Sequence, residues 1–455
     1  MTPPMCPGCA ERDLEILRLR QLLEETRRQS KRQVHPFAKD KDSDQAPAKP
    51  KSAGRPKGHE AAVRPTPTPD QVDRVVDVEC RACPDCGSQL VDPGTVVQYQ
   101  TDLPPIVPIV TQFNIDTGYC VCCRQSFQGR HPEQTSDAKG VAANTIGPVA
   151  LTMAAELKHR LGVPYRKICD FYQTYCGLKV CMATLIRAEQ RLAHLAKPTY
   201  DLLIDALRRS GVVHADETGW KVGRLNAWLW VFSNDHTTVY TIRTGKGSRG
   251  HTVPDDILGP DFNGFLIVDG FKAYEVLEYA KGQCNGHLLR RGKELRDTLP
   301  SSEAKRVAKL VTLIQQAIDL ARRRDQLTPT GYARRVQTLE NHLDRWLDRV
   351  PAKCSADLDR LENHIRKHRG EWFVFLHEPA VPPTNNHAER MLRPAVISRK
   401  IGGCNQTLAG ALVHSILASL MATCHQQGQK FLDLARKLWH AAQPRPVRLL
   451  TRRPA

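Results

Sequence analysis

The chain has 455 residues, of which 41% are hydrophobic and 25% are charged. That balance excludes wholesale disorder and collagen-like repetition, and the length allows about three domains of ~150 residues each. Lysine and arginine outnumber aspartate and glutamate by 66 to 48, which gives a formal charge of +18. Because a positive surplus of this size attracts polyanions, a nucleic acid is the expected partner.

The two ends of the sequence argue against a membrane protein or a secreted one. No stretch of about 18 uninterrupted apolar residues is present, and charged residues follow Ala10, where a signal peptide would have its apolar core. Neither terminus shows a basic amphipathic helix with Trp or Phe on its apolar face. The sequence therefore predicts a cytoplasmic protein with no membrane partner.

Fifteen cysteines in a chain without a secretory signal do not indicate a disulfide framework. The first pair, Cys6-Pro-Gly-Cys9, opens an N-terminal segment over 1–35 and has no second pair nearby. A short helix is predicted from 13 to 32 because apolar residues recur there at roughly heptad spacing. Metal binding across a dimer and a solvated amphipathic helix both remain open for this segment.

Residues 36–72 shift in composition to Lys, Asp, Ala and Pro, which predicts a basic linker. Within it, Gly54-Arg55-Pro56-Lys57 resembles the core of a hook that places an arginine in a narrow A·T-rich minor groove. The alternative is a flexible basic tether that touches phosphates. Arg55 and Lys57 are candidate DNA contacts in either interpretation.

Two further cysteine pairs have the spacing of a zinc ribbon over 73–135. The four predicted zinc ligands are Cys83, Cys86, Cys120 and Cys123. Four thiolates suit a tetrahedral Zn²⁺ ion, and the alternation of apolar residues over 96–115 predicts short strands between the two pairs. Cys80 and Cys122 are then spare or substitute ligands, and buried free thiols are the alternative.

Residues 136–200 are predicted to be helical. Gly177 breaks one helix, and a second helix from Met182 to Leu195 follows it. This is the outline of a helix-turn-helix, whose second helix would present Arg187 and Arg191 to a major groove. Any helical subdomain gives the same pattern, so a purely structural role is the alternative.

Three acidic residues accompany the strongest strand and helix signals of the chain. Asp216 sits on, or at the end of, the first of three alternating strands. Asp269 follows a continuous apolar run that is typical of a buried central strand. Glu389 lies in the first turns of a helix capped by Thr384 or Asn385.

Such a set of carboxylates can hold two Mg²⁺ ions for phosphoryl transfer on nucleic acid. Mg²⁺ prefers oxygen ligands, keeps several waters and needs only one or two carboxylates besides a substrate phosphate. Two ions about 4 Å apart can activate an attacking oxygen and stabilise the leaving one. Taken singly, the carboxylates have ordinary explanations: an aspartate after a buried strand is common, and Glu389 with Arg393 can be a simple helix pair.

The motifs around these carboxylates resemble the three catalytic blocks of the insertion sequence 66 family of bacterial transposases. The motifs are Asp216-Glu217-Thr218, Asp269-Gly270-Phe271 with Tyr274, and Asn385-Asn386-x-x-Glu389-Arg390. The order of parts along the chain is also similar. The resemblance implies a multidomain α+β protein, in which zinc ribbon and helix-turn-helix modules precede a ribonuclease H-like α/β catalytic domain with a helical insertion.

The resemblance also implies boundaries and roles. The catalytic domain would cover 201–295 and 372–408, with the helical insertion over 296–371 and a C-terminal helical block with a basic tail over 409–455. Asp216, Asp269 and Glu389 would form the acidic triad and hold two Mg²⁺ or Mn²⁺ ions. The candidates for phosphate contacts near the triad are Arg290, Arg291, Arg390 and Arg393.

Element ends and target DNA are the implied substrates, bound by a homo-oligomer in the bacterial nucleoid, with accessory proteins as a further class of partner. Cys284 and His287 are similar to the family's Cys-x-x-His block. Because two ligands do not make a zinc site, we expect a packed or polar structural role for this pair, and zinc ligation is the alternative.

Two other functions remain open at this stage. One is a nuclease of the same fold that cleaves DNA without strand transfer, which only the reaction products can distinguish. The other is a non-enzymatic DNA-binding regulator, in which the ribbon and helices bind DNA and the carboxylates are incidental.

Overall fold

The computed structural model describes residues 64–79, 82–83, 85–89, 94–349 and 354–449, together with Leu19. The chain divides into two units, Met1–Asp102 and Leu103–Ala455. Three predictions of the sequence lie outside the described residues: the Cys6–Cys9 pair, the hook with Arg55 and Lys57, and all of the N-terminal helix except Leu19, which is helical.

The described part of the first unit contains one short helical turn and one cysteine turn. A 3₁₀ turn covers Pro69–Gln71. At the cysteine turn, Cys83 donates its N–H to the carbonyl oxygen of Ser88 and its own carbonyl oxygen accepts from Gly87 N–H, at 2.8 and 2.9 Å. Gly87 takes a φ of +76°, which glycine adopts without a side-chain clash. The Cys83–Cys86 pair thus lies on a tight turn.

The second unit begins with a hairpin that carries the other cysteine pair. Strands β1 (Thr117–Cys120) and β2 (Gln125–Gln128) pair antiparallel. Cys123 donates its backbone N–H to Cys120 Sγ at 3.4 Å, and hydrogen bonds from backbone amides hold the pKa of the Cys120 thiol below its ordinary value. A shared zinc ion for the four cysteines stays a prediction.

The prediction of strands over 96–115 is wrong. No residue from 94 to 116 is in a strand, and apolar side chains such as Val96 and Ile109 are more than 90% exposed. Prolines at 104, 105 and 108 have no N–H to donate to a ladder, so alternation of apolar residues is not sufficient for pairing here.

Three helices follow: α1 (Pro148–His159), α2 (Tyr165–Cys176) and α3 (Met182–Arg208). The prediction that Gly177 ends a helix is confirmed, because this residue caps α2 with a φ of +60°. Helix α3 was expected to end at Leu195 but continues through Pro198 to Arg208. Its buried stripe, which includes Leu203 and Leu207, packs into the main core, and this packing outweighs the hydrogen bond lost at proline.

A five-stranded mixed sheet lies at the centre of the second unit. Its strands are β3 (Val212–Val222), β4 (Leu225–Ser233), β5 (Thr238–Thr244), β6 (Phe265–Val268) and β7 (Ala280–Gln283). The spatial order is β5-β4-β3-β6-β7, in which β3, β4 and β5 pair antiparallel, while β6 runs parallel to both β3 and β7. Helix α4 (Thr252–Leu258) lies between β5 and β6 in sequence.

The sequence located four of these five strands. Strand β7, Ala-Lys-Gly-Gln, was not foreseen because it is neither apolar nor alternating. The first strand is longer than expected, and Asp216 lies in the middle of β3, so the alternative in which it sits on the strand is confirmed.

Helices fill the segment between β7 and Glu389. They are α5 (Asn285–Thr298), α6 (Ser301–Arg322), α7 (Pro329–Asp348), α8 (Ala356–Lys367) and α9 (Val374–His377). A core of their own, with Ile314, Leu343 and Leu358 fully buried, holds them together. That core also includes Ile267 of β6, so the helical segment packs against the sheet.

The remaining helices are α10 (Asn386–Gly402), α11 (Leu408–Gln426) and α12 (Phe431–Trp439). By length and composition α11 could cross a membrane, and it is the one such helix in the described part of the chain. It packs on β5 and α3, and Ser419 Oγ accepts a hydrogen bond from Tyr240 N–H at 2.7 Å. These contacts are those of a core helix. Leu412 of this helix is 54% exposed.

Candidate active site

The pairing of β3 with β6 brings two predicted site residues together. The strands run parallel, with His214 opposite Ile267. Asp216 and Asp269 each follow two residues later, so both carboxylates lie on the same face of the two neighbouring strands. Neighbouring strands are about 4.8 Å apart, which places the two aspartates side by side where β6 ends. This end of the β3–β6 pair is called the acidic edge below.

A buried asparagine joins the third predicted residue to this edge. Asn385 Oδ1 accepts a hydrogen bond from His214 Nδ1 at 2.9 Å, and Asn385 Nδ2 donates to the Ala215 carbonyl oxygen at 2.7 Å. Both partners directly precede Asp216 on β3. Glu389 lies one helical turn beyond Asn385 and donates its N–H to the Asn385 carbonyl oxygen at 3.3 Å. Asn385 thereby anchors the start of α10 to the strand that carries Asp216.

The helix start was predicted correctly, but the role of its first residue was not. Asn385 occupies the N-cap position of α10, yet its side chain makes no capping hydrogen bond. The side chain is completely buried and forms its hydrogen bonds with residues of β3 instead. Its backbone N–H is satisfied by Cys284 Sγ at 3.1 Å. This is the packed structural role expected for Cys284.

The carboxylates at this edge repel one another. Burial, followed by the charges of Asp269 and Glu217, raises the pKa of Asp216 to about 7. Glu389 adds to the same repulsion. Burial and the charge of Asp269 also raise the pKa of Glu217. The site thus collects more negative charge than its protein neighbours neutralise.

His287 faces the same cluster. Its Nε2 lies 3.7 Å from Glu389 Oε1, so Glu389 pairs with a histidine of α5 and not with Arg393 of its own helix. A hydrogen bond with Cys284 raises the pKa of His287, and the charges of Asp269 and Glu389 act in the same direction. The raised pKa favours the protonated form of His287 next to the third carboxylate.

The sequence did not identify a network on the opposite face of β3. Glu217 Oε1 accepts from Arg249 Nε at 3.0 Å, and Glu217 Oε2 accepts from the Tyr274 hydroxyl at 3.0 Å. The Arg249 guanidinium lies between two rings, 4.0 Å from the Trp228 centre and 3.7 Å from the Phe271 centre. The available signal was β-strand alternation, which turns Glu217 away from Asp216.

The donor set fits a magnesium ion better than a softer metal. Within the described residues, no three His, Cys, Asp or Glu side chains lie close enough together to form a metal cage as they stand. Mg²⁺ does not require one, because it is commonly held by one or two carboxylates, waters and substrate phosphate. The raised pKa of Asp216 indicates uncompensated charge that a divalent cation would relieve.

Some of the arginines predicted to contact DNA are bonded to other residues of the protein, and others are not. Arg191 donates to the Thr135 carbonyl oxygen and lies 5.7 Å from the Trp439 ring centre. Arg291 pairs with Asp357 at 3.1 Å. Both arginines thus have roles in the fold. Four others are exposed and form no ion pair with a described residue: Arg187, Arg290, Arg390 and Arg393.

The fold and the site together define a mixed α+β protein with an acidic edge on its central sheet. The sequence profile of the family described as Transposase IS66 matches residues 144–412, more than half of the chain. The chain therefore belongs to the IS66 family of transposases, and the resemblance inferred from the three motifs is confirmed.

Two proteins of Sinorhizobium fredii are similar to this chain. The uncharacterized protein y4qI is 24% identical over 330 residues, which cover 65% of this chain and 60% of y4qI. The uncharacterized protein y4jD is 22% identical over 390 residues, which cover 78% of this chain and 73% of y4jD. Their names state no activity, so the chemistry has to be argued from the site.

Proposed function

We propose that this protein is a DNA transposase that cleaves the ends of an insertion sequence and joins them to target DNA. Asp216, Asp269 and Glu389 form its catalytic triad. The observation that carries this proposal is the common edge to which the β3–β6 register and the Asn385 anchor bring these residues, in a chain that belongs to a transposase family.

The strand order supports a ribonuclease H-like catalytic domain. Three antiparallel strands are followed by two parallel ones, and the first strand of the series is central. Asp216 lies on that central strand and Asp269 leaves its parallel neighbour. Ligand sites of mixed α/β sheets commonly lie outside the carboxyl ends of parallel strands, and Asp269 stands at such an end.

The three carboxylates would hold two divalent ions. When bound, such ions lower the pKa of an attacking water or hydroxyl and neutralise charge on the leaving oxygen. Asp216 and Asp269 supply the adjacent oxygens, and Glu389 completes the set from α10. His287 positions Glu389 through its 3.7 Å contact. Water is the nucleophile of the first cut, and the 3′-hydroxyl released there attacks the target phosphodiester in the same site.

Purified protein incubated with DNA that carries the ends of its own element tests this proposal. We expect nicking and strand-transfer products with Mg²⁺ or Mn²⁺ and none with EDTA. The triple variant Asp216→Asn/Asp269→Asn/Glu389→Gln should lose both products by several orders of magnitude and still bind DNA.

The matched control is Asp201→Asn, the same chemical change at an exposed ion pair with Lys197 on α3. It should cleave at the wild-type rate. Cleavage without joined products would identify a nuclease instead of a transposase. DNA binding that persists with no metal-dependent cleavage in the wild-type protein would identify a regulator and overturn the proposal.

A further inference from the structure

A basic groove lies between α6 and α7, in the helical segment that separates β7 from Glu389. It encloses about 680 Å³, and none of the residues that line it is acidic. Four of them are exposed cations: Lys305 and Lys309 on α6, Arg345 on α7, and Arg349 at the C-cap of α7. None of the four forms an ion pair with a described residue. No step of the proposed cleavage uses this groove.

The shape of the groove is fixed because hydrogen bonds between Arg306 and Trp346 hold its two helices together. Arg306 Nη2 donates to the Trp346 carbonyl oxygen at 2.6 Å, and Trp346 Nε1 donates back to the Arg306 carbonyl oxygen at 3.0 Å. The Arg306 guanidinium lies 4.3 Å from the Trp346 ring centre and pairs with Glu362 of α8 at 2.5 Å. Arg306 is therefore a structural cation, and the four exposed ones remain for a ligand.

The spacing of the four cations suits a repeating anion. Lys305 and Lys309 stand four residues apart on α6, so they occupy one face of that helix about 6 Å apart. Arg345 lies in the last turn of α7, and Arg349 is the C-cap residue that follows this helix. The two pairs line the groove from its two helices, and the polar side chains of Ser302 and Gln316 also line it from α6.

We propose that this groove is a second DNA-binding site, which holds the sugar-phosphate backbone of a duplex away from the cleavage site. This inference rests on the proposed function, which makes DNA the substrate. Acidic protein surfaces offer scattered charge, whereas a DNA strand presents phosphates in a regular row with a dense counterion atmosphere. The groove contains no apolar surface patch for a protein partner apart from Leu313 and the locked Trp346.

The test compares two variants of the full-length protein that lose equal charge. The groove variant is Lys305→Gln/Lys309→Gln/Arg345→Gln/Arg349→Gln. The control variant is Arg322→Gln/Arg323→Gln/Arg334→Gln/Arg335→Gln, which removes four exposed arginines from the other end of the helix pair. Arg322 is the last residue of α6 and pairs with Asp319, Arg323 is the C-cap of α6, and Arg334 and Arg335 lie on α7. Along the axis of α6, Arg322 lies about 20 Å from Lys309, the nearest groove cation on that helix. All eight side chains are on the surface, so both variants should fold.

Binding to a duplex without element sequence is measured over a range of salt concentrations. Each lost phosphate contact should lower the slope of log affinity against log salt by about 0.9. We expect the groove variant to lose a slope of about 3 and at least about tenfold in affinity at low salt, and the control variant to lose less than about 1 in slope. Thermal unfolding of both variants checks that neither is misfolded.

Equal losses in the two variants would overturn the inference, because they would show only the effect of net charge. No loss in the groove variant would overturn it as well and identify a solvated surface. Metal-dependent cleavage by the triad is measured on the same samples, so the groove can fail while the proposed function stands. If wild-type protein neither binds nor cleaves DNA, both proposals fail.

Discussion

Two carboxylate clusters of this protein, one partly buried and one almost completely buried, differ in the charges around them. At the edge of β3 and β6, Asp216 and Asp269 stand side by side with Glu217 and Glu389 near them, and burial and repulsion raise the pKa of Asp216 to about 7. Between α1, α3 and α11, a single carboxylate, Glu189, is almost completely buried and has donors around it.

The Glu189 cluster links four helices, α1, α2, α3 and α11. Glu189 Oε2 accepts from His159 Nε2 at 3.0 Å and from the Tyr165 hydroxyl at 2.5 Å. His159 Nδ1 lies 3.2 Å from His414 Nδ1 of α11, and burial, followed by the charge of His159, lowers the pKa of His414 well below its usual range. The charge of Lys158 acts on the same group. One oxygen of the single carboxylate thus binds two donors, while Glu189 Oε1 has no hydrogen-bond partner among the described residues.

The comparison separates two ways of holding a carboxylate. A buried carboxylate that accepts hydrogen bonds from several helices holds them together, and its cost appears only when a partner is removed. Carboxylates that stand together without enough cations raise the free energy of the folded protein, and a ligand such as a metal ion can compensate them. Under the proposed function, the Asp216 cluster is of the second kind.

The largest expected effect is on the rate of DNA cleavage, which should depend on the Asp216 cluster and not on the Glu189 cluster. Asp269→Asn should lower the rate of DNA cleavage at least about 10³-fold, or roughly 4 kcal/mol of transition-state stabilisation. Glu189→Gln should leave the cleavage rate of folded protein within a few-fold of wild type. Single-turnover nicking assays at a temperature where both variants are folded measure this; comparable losses would refute the division.

For the free energy of unfolding, we expect the larger loss at the Glu189 cluster. Glu189→Leu leaves His159 and the Tyr165 hydroxyl without their buried acceptor, so it should lower the free energy of unfolding by about 3–5 kcal/mol. Asp201→Asn, at an exposed pair, should cost less than about 1 kcal/mol. Urea unfolding at pH 7 gives both values, and a loss below about 1 kcal/mol for Glu189→Leu would mean that the cluster is not a structural link.

The pH dependence of stability should identify the repulsion at Asp216. Because its folded pKa of about 7 exceeds the ordinary value of 3.8, the folded state holds this proton more tightly, and stability falls as pH rises from about 4 to about 7. Asp216→Asn should therefore be more stable than wild type at pH 8, by roughly 4 kcal/mol, and gain little near pH 4.

Thermal melts in metal-free buffer measure this difference, and added Mg²⁺ should reduce it because the cation favours the ionised aspartate. A stability gain that is the same at pH 5 and pH 8 would show that Asp216 is not strained by its charge.

The smallest effect is expected at the anchor between the helix and the sheet. Asn385→Ala removes the hydrogen bonds to His214 and to the Ala215 carbonyl oxygen, which should cost about 2 kcal/mol of stability. Cleavage by the folded variant should fall more than that of Asp201→Asn, because Glu389 loses its fixed position. Unchanged cleavage would show that α10 is held in place without Asn385.

Much of the fold was available from local pattern. Alternating and apolar runs located β3 to β6, and Gly177 ended α2 as predicted. The helical insertion and the C-terminal helical block were implied by the family resemblance. The pattern was misleading over 96–115, where prolines prevent pairing, and at Leu195, where α3 continues because its buried stripe finds a core. Strand β7 has no local signal and exists because β6 offers it an edge.

The sequence by itself predicted the three carboxylates, since three short motifs carry them, and it indicated the family that the sequence profile shows. Only the tertiary structure decided their surroundings: the β3–β6 register, the use of Asn385 as an anchor, the His287 contact with Glu389, and the Arg249 network behind Glu217. These contacts join residues between 32 and 171 positions apart. Local propensity cannot encode such pairs, because they form only when the sheet and its helices bury a common core.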